Sequence, residues 1–536
     1  MAVLTAALPS ALLAVDEIGA RLGSVSTVFV LSGLLLALAL TVRMTLQESF
    51  ANSSRRTRVL FGLLSCVLFI AGVLVLYLFR EAEAPLTRMK GARDVAVVGF
   101  TGSAGTEDEQ ILDDVSRAFA ASLGKALPDT ATVRSYATET TLPLDMLKRP
   151  GGGELDQHGR QFVEETGAEI LVGGIVAAAP GGQIDVRPAV YVRADQVPDA
   201  PELVGWYLSK PIAMDHGWQS ARSREQVVDE LVQRAQHLAA FIDALDAWHT
   251  GKSTSASQIL GGLLPGNAGN DRSSPKKQRA SASAPGSGFV TSDVVRLFRG
   301  HALEQQAAAA SGATRQRLLK AARTDYRAVP SDSPVNLRAE LSLAGNGYRL
   351  ALGIKPSCRP GTVEAAALSK ASRTLRRLAD SAAFTELGRL KAKVNLAQLE
   401  QCRVTAGLVA EDGTVERLTT AVRAARGGGP VRELRSLAAS IAAVHAAEQG
   451  ELERASDLIE EALALQPRFL QRGLWKGLLA SWELSRCDMA AARLARNESL
   501  RQLREAVRTE QADPALPEKY RLAFEQEVTA ARTRCS

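Results

Sequence analysis

Four cysteines in the second half of the chain have the spacing that most directly indicates chemistry. Cys358 and Cys402 are 44 residues apart, and Cys487 and Cys535 are 48 residues apart. The flanking sequence places the first cysteine of each pair in a loop between helices and the second on a helix that returns to that loop. Two pairs with one geometry predict the disulfides Cys358–Cys402 and Cys487–Cys535, with four buried free thiols as the alternative. Because disulfides persist in oxidising compartments, this pairing favours an extracytoplasmic location.

No complete catalytic or nucleotide-binding motif is found in the sequence. Gly251-Lys252-Ser253 matches the end of a P-loop, but Asp246 stands where the earlier glycine belongs. Glycines 99, 102 and 105 follow a strand, yet their spacing differs from that of dinucleotide sites. Six histidines, at positions 158, 216, 237, 249, 301 and 445, lack the spacing of metal ligands. The sequence therefore predicts a non-catalytic protein with no cofactor, no metal and no catalytic residues.

Two long apolar runs near the start predict a transmembrane hairpin. Residues 25–42 and 59–79 contain 18 and 21 uncharged residues, and about 20 helical residues cross a bilayer. A cleaved signal peptide is the alternative for the first run, but residues 1–24 lack its basic start. The loop between the runs contains four arginines, Arg43, Arg55, Arg56 and Arg58. Since basic loops are retained in the cytoplasm, we expect a bacterial inner-membrane protein whose soluble region is periplasmic.

Residues 91–249 have the pattern of an α/β domain. A buried strand is predicted at 94–100 and another near 132–136, each followed by a helical segment. Residues 168–178 and 184–194 are joined through Pro180-Gly181-Gly182, and the second of them alternates apolar and polar positions. These features predict a β-hairpin, and a long helix that begins near Ser223 closes the domain.

The phrases VAVVGF, ETGAEILVGGIV and IDVRPAVYV, in this order of elements, resemble the amino-terminal domain of TolB and its relatives. The resemblance covers about 150 residues. It implies a non-catalytic binding module, of a kind found both in envelope proteins and ahead of helical repeats in cytoplasmic signalling proteins. The β-propeller that follows in TolB itself is not expected here, because residues 288–536 have a helical pattern throughout.

That C-terminal region is predicted to be an array of helical repeats. The segment AASIAAVHAAEQGELERASDLIEEALALQP resembles a tetratricopeptide repeat (TPR). Its small contact residues, its turn glycine and its terminating proline are Ala443, Gly450, Ala455, Ala462 and Pro467. Looser copies lie at 322–334 and 248–256. Because such repeats must stack to bury their faces, we expect three to five helical pairs.

The predicted fold class is multidomain, with an all-α repeat region behind a small α/β domain. The expected divisions are 1–90 for the tail and hairpin, 91–249 for the α/β domain, 250–287 for a junction with a flexible insertion rich in Ser, Gly, Pro and Lys, and 288–536 for the repeats. A hydrophobic fraction of 46% and a charged fraction of 23% are typical of globular chains. The net charge is +6, but no aromatic residues interleave with the basic ones, so we expect no nucleic-acid partner.

These features together predict a membrane-anchored adaptor or scaffold of the cell envelope that binds protein partners through its repeats and its α/β domain. Two alternatives remain. One is a sensor or accessory subunit whose α/β domain binds a small envelope ligand near residues 102–105 and 151–153. The other is a signalling regulator that faces the cytoplasm.

Overall fold

The chain divides into two compact units, Met1–Thr87 and Arg88–Ser536. The computed structural model describes residues of the second unit, namely 88–89, 94–102, 109–127, 131–141, 153–178, 184–193, 196–197, 200–214, 221–265, 288–353, 357–466, 468–510 and 512–535. Across these ranges, no helix combines the length and the apolarity that a membrane span requires. The predicted transmembrane helices, and the loop with Arg43, Arg55, Arg56 and Arg58, lie outside the described residues.

A mixed β-sheet forms the first part of this unit. Its strands are β1 (Asp94–Gly99), β2 (Thr101–Gly102), β3 (Thr132–Thr141), β4 (Ile170–Ala178), β5 (Ile184–Val192), β6 (Gly205–Leu208) and β7 (Ile212–Met214). The strand order is β3-β1-β4-β5-β6, with β2 paired to β4 and β7 paired to β5. Strands β3, β1 and β4 run parallel, whereas β4 and β5 are antiparallel. The predicted hairpin is therefore present.

Helices lie against this sheet, and they are α1 (Glu109–Ala126), α2 (Gly153–Thr166) and α3 (Ala221–His249). Helix α1 contacts β1, β3 and α3, and its Phe119 ring lies 6.1 Å from that of Phe100. Helix α2 instead contacts β4 and β6, and its Phe162 ring lies 5.6 Å from that of Tyr136. A sheet with helices packed on it is the α/β region expected from the sequence.

The rest of the described chain is helical. Its helices are α4 (Ser253–Gly262), α5 (Ser292–Ala309), α6 (Gly312–Arg327), α7 (Asn336–Ala351), α8 (Ala365–Ala379), α9 (Glu386–Thr405), α10 (Thr414–Arg423), α11 (Gly429–Glu448), α12 (Leu452–Leu465), α13 (Phe469–Ser485), α14 (Met489–Thr509) and α15 (Leu516–Cys535). Each helix from α4 to α14 contacts the next one in sequence. Antiparallel packing within a pair is evident where Ser436, early in α11, donates a hydrogen bond to the carbonyl of Ala462, late in α12. The described residues between 288 and 535 thus contain five helical pairs and a final helix, which agrees with the three to five pairs predicted.

The sheet region and the helices share apolar side chains. The ring of Phe289, just before α5, stacks on Phe119 of α1 at 5.8 Å. Phe298 of α5 contacts Phe241 and Trp248 of α3 and also Tyr207 of β6, at centroid distances of 5.1, 6.0 and 5.4 Å. Because all these side chains are buried, the long helix α3 belongs to the sheet layer and also begins the helical array.

Candidate functional site: the inner helix face

Both predicted cysteine pairs are at disulfide distance. The Sγ–Sγ distance is 2.10 Å between Cys358 and Cys402 and 1.97 Å between Cys487 and Cys535. Cys358 lies in the loop before α8 and Cys402 in the last turns of α9, while Cys487 lies in the turn between α13 and α14. Each bridge joins a loop to a helix that returns to it, which is the arrangement inferred from the sequence.

The residues of the predicted repeat lie within one core. Ala443 of α11 and both Ala455 and Ala462 of α12 are fully buried in the same apolar cluster as Ile459. Gly450 stands between the two helices with a φ of +84°, a backbone conformation that favours glycine. Pro467 lies outside the described residues. Small side chains at the crossing allow α11 and α12 to approach closely, as helical repeats require.

Sequence reasoning missed a second close crossing, between α5 and α6. A Cβ atom added to Gly300 would lie 2.3 Å from the ring of Tyr326, so only glycine fits at this contact. The sequence signal was a single glycine inside an otherwise helical pattern, which indicates a close approach when it is not a helix end. An ion pair reinforces this crossing, because Arg299 donates to the buried carboxylate of Asp325 at 2.7 Å.

We give the name inner face to the first helices of successive pairs, which are α5, α7, α9, α11 and α13. Contacts join α5 to α7, α7 to α9 and α9 to α11. Several of these contacts are polar and buried. Asn346 of α7 donates to Glu304 of α5 at 2.9 Å, and His445 of α11 hydrogen-bonds Gln401 of α9. Because buried polar groups need geometrically matched partners, these bonds fix the offset between neighbouring helices.

A segment of the α/β region covers the first part of the inner face. This docking segment comprises a 3-10 turn, Pro201–Leu203, and strand β6. The turn contacts α9, and Arg338 of α7 donates to the carbonyl of Val204 at 3.3 Å. The guanidinium of Arg338 also lies 4.9 Å from the centre of the Tyr207 ring. The chain itself therefore occupies the inner face across α5, α7 and α9.

Further along the array, the inner face presents half-buried apolar side chains. On α11 these are Ile441 and Val444, whose spacing of three residues places them on one side of the helix, whereas the half-buried Leu437 packs against the core. This side points away from Ala443, which faces α12. On α13, Leu478 is 37% exposed, whereas Leu474, one turn earlier, packs against the core. We call Ile441, Val444 and Leu478 the apolar stripe, because apolar side chains of this kind are what an amphipathic partner helix could cover.

A groove lies elsewhere, between β7 and α3. It encloses about 580 Å³ and is lined by Pro211, Ile212, Ala213, Glu225, Gln226, Asp229, Glu230, Gln233 and Arg234. Arg234 is 4% exposed and donates to Ser209 Oγ at 3.1 Å, to the carbonyl of Pro211 at 3.4 Å and to that of Lys210. Burial lowers the pKa of Arg234, and Glu230 raises it in part. The guanidinium thus ties the turn before β7 to α3.

The remaining sequence candidates are separated in space or undescribed. Gly102 is at the end of β2, but the residues that follow it to 108, the glycine stretch at 151–152 and His216 lie outside the described residues. In the part of the chain that the structure describes, no three or more His, Cys, Asp or Glu side chains form a group that could hold a metal ion. His301 and His445 are buried at contacts between inner helices rather than at a groove.

Searches against protein-family models and against curated proteins found no match for this chain. The described residues form an α/β sheet region followed by an array of paired helices, and this array contains two cysteine pairs at disulfide distance.

Proposed function

We propose that this protein is a membrane-anchored, non-catalytic adaptor of the bacterial cell envelope that binds a protein partner through its helical array. The observation that carries this proposal is the set of half-buried or exposed apolar side chains Ile441, Val444 and Leu478 on α11 and α13, which lie on inner-face helices that the docking segment does not cover. Stacked helical pairs are well suited to protein recognition because their inner helices form an extended surface. The TPR-like and TolB-like resemblances support the same role.

The anchor and the location are part of the same proposal. The apolar runs at 25–42 and 59–79 serve as two transmembrane helices, and the arginine-rich loop between them stays in the cytoplasm. The cysteine pairs favour an oxidising compartment for the helical array, which agrees with that orientation. Protease treatment of spheroplasts tests the location, since a periplasmic array is digested and a cytoplasmic one is protected. Protection would favour the alternative of a signalling regulator.

Site-specific photocrosslinking in cells tests partner binding. A photoreactive residue at Leu478 should give one adduct with a single protein, and it should give much less of that adduct when Ile441→Asp places a charge on the neighbouring part of the stripe. The same photoreactive residue at Ala421, which is exposed on the outer helix α10, is the matched control and should give none. Failure of Leu478 to form an adduct, or equal adducts from both positions, would contradict the proposal.

A second candidate function is a sensor whose α/β region binds a small molecule. The groove between β7 and α3 favours it, because Glu225, Asp229 and Glu230 give this groove an acidic lining that suits a cationic ligand. Native mass spectrometry of the protein extracted gently from membranes distinguishes the two candidates. A retained small molecule that is lost in Asp229→Asn supports the sensor, whereas a retained protein supports the adaptor.

A further inference from the structure

His301 occupies the point where the docking segment meets the helical array. It is buried on α5, and its ring stacks on Trp248 of α3 at 6.0 Å and meets the Tyr326 ring of α6 at 5.5 Å. Its Nε2 atom lies 2.8 Å from Ser342 Oγ of α7. Glu202, in the 3-10 turn of the docking segment, places Oε1 3.8 Å from the same nitrogen. The imidazole of His301 therefore contacts the docking segment and the three helices α3, α6 and α7.

The hydrogen bonds around His301 assign its tautomer. The Ser342 hydroxyl donates to the carbonyl of Arg338 at 2.9 Å, so its single proton is already used. Ser342 Oγ then accepts from His301, which places the ring proton on Nε2. A second proton can enter only at Nδ1, and not at the nitrogen that faces Glu202.

The charges that face His301 oppose one another. Glu202 of the docking segment and Glu304 of α5 favour a charged ring, whereas Arg349 of α7 and Lys391 of α9 disfavour it. Glu304 is already engaged, because Arg349 and Asn346 both donate to it, at 2.5 and 2.9 Å. Tyr326 contributes a neutral ring, since burial and Glu304 raise the pKa of its hydroxyl well above the usual value. Two acids and two cations lie nearby, and burial is the largest influence on the pKa of His301.

Several buried polar atoms beside His301 lack a hydrogen-bond partner. They are Glu202 Oε2, Trp248 Nε1 and Tyr326 Oη. Unsatisfied buried groups are uncommon in folded proteins and mark places where a structure is poised to rearrange or to admit water. Three of these atoms therefore surround one histidine, at a contact between two parts of the chain.

We propose that His301 makes the contact between the docking segment and the inner face sensitive to acid, so that protonation at Nδ1 releases the segment and uncovers α5, α7 and α9. Release takes the imidazolium and Glu202 into water, where both charges are hydrated. It also provides partners for the three unsatisfied atoms. This acid-dependent release would regulate how much of the inner face a partner can reach.

The direction of the pH dependence follows from the pKa of His301. Burial lowers this pKa below its ordinary value of 6.5, and this lowering outweighs the raising effect of Glu202 and Glu304. The released state, in which the ring is hydrated, then binds the proton more tightly than the docked state. Docking is therefore unaffected above about pH 6.5 and weakens as the pH falls below that value.

Hydrogen exchange of the full chain in detergent tests the proposal. After correction for intrinsic exchange rates, the opening equilibrium of residues 200–208 should rise about tenfold between pH 8 and pH 5.5, the limit for a histidine that ionises only in the released state. His301→Gln should abolish this rise because glutamine does not titrate. His158→Gln, at an exposed position on α2, is the matched control and should retain it.

Two results would overturn the proposal. One is a change of less than twofold in the wild-type protein between the two pH values. The other is a tenfold rise that persists in His301→Gln. If circular dichroism shows that His301→Gln is unfolded at pH 8, His301→Phe, which keeps an aromatic ring between Trp248 and Tyr326, replaces it with the same expected outcome.

Discussion

The bridge between Cys487 and Cys535 should be what holds the C-terminal helix on the array. Helix α15 contacts α13 and α14, but only Phe524 and Ala531 among its twenty residues are buried. Burial of one Phe side chain contributes about 1.5–3 kcal/mol. A bridge that closes a separation of 48 residues contributes about 4 kcal/mol on the chain-entropy estimate. Val528 of α15 also packs against the core, so the covalent link is comparable to the apolar contact. Replacing both cysteines by serine should therefore release α15.

The other bridge provides a matched control. Cys358 and Cys402 are separated by 44 residues, so the same estimate again gives about 4 kcal/mol. Helix α9 differs from α15 because eleven of its residues are buried, including Leu390, Leu396 and Leu399. Cys358→Ser with Cys402→Ser should therefore lower the stability of the array without releasing any helix.

Limited trypsin digestion and hydrogen exchange of the two double variants give the comparison. In Cys487→Ser with Cys535→Ser, cleavage after Arg521 and Arg532 should accelerate at least tenfold, while exchange in α11 and α12 stays unchanged. In the control, cleavage at these sites should match that of the wild-type protein. Equal protection of α15 in all three proteins would refute the reasoning, because the apolar contact alone would then be sufficient.

Three further predictions concern stability. Replacing Ala443 or Ala455 by leucine should overpack the α11–α12 contact and lower the free energy of unfolding, measured in urea, by about 1–3 kcal/mol. The control Ala421→Leu, at an exposed site, should change this free energy by less than about 0.5 kcal/mol. Equal effects of the three substitutions would contradict the placement of Ala443 and Ala455 at the helix crossing. A chain that starts at Arg88 should be soluble and folded by circular dichroism, since the second compact unit starts there; an insoluble product would argue against separable units. Arg234→Met should lower the free energy of unfolding by about 1–3 kcal/mol, because it leaves the buried acceptors at the turn before β7 without their donor. Hydrogen exchange of β7 should increase in this variant, and unchanged exchange would contradict the role of Arg234.

The elements that the sequence predicted are those whose signal is local. The hairpin of β4 and β5 follows from alternation in a single segment, and the crossing at Ala443 follows from small residues at fixed spacing. The cysteine pairing also needed only neighbouring helices and the loops between them. In each case, the residues that determine the contact lie within about 50 positions of one another.

The elements that sequence reasoning missed depend on distant contacts. Strands β6 and β7 have four and three residues, too few for a recognisable period, and each forms because β5 offers an edge. The contact between Glu202 and His301 joins residues 99 positions apart, and neither residue lies in a motif. A lone histidine in a helical segment is indistinguishable, in one sequence, from an ordinary core residue.

The covered inner face changes what the two regions can do as a pair. If the α/β region and the helical array were independent modules, a partner could use the whole inner face and the α/β region would only determine where the array is held. With the docking segment on α5, α7 and α9, a partner that binds the early part of the inner face must first displace Glu202 and Tyr207 from the positions they hold against His301 and Arg338. Binding to the stripe on α11 and α13 requires no such displacement.

A partner of the stripe would therefore bind independently of pH, whereas a partner of the whole face would bind more tightly below about pH 6.5. The photocrosslinking yield from Leu478, compared between pH 8 and pH 5.5, distinguishes these two binding modes. An equal yield indicates a partner confined to the stripe. A yield that rises in acid in the wild-type protein, but not in His301→Gln, indicates a partner of the whole face.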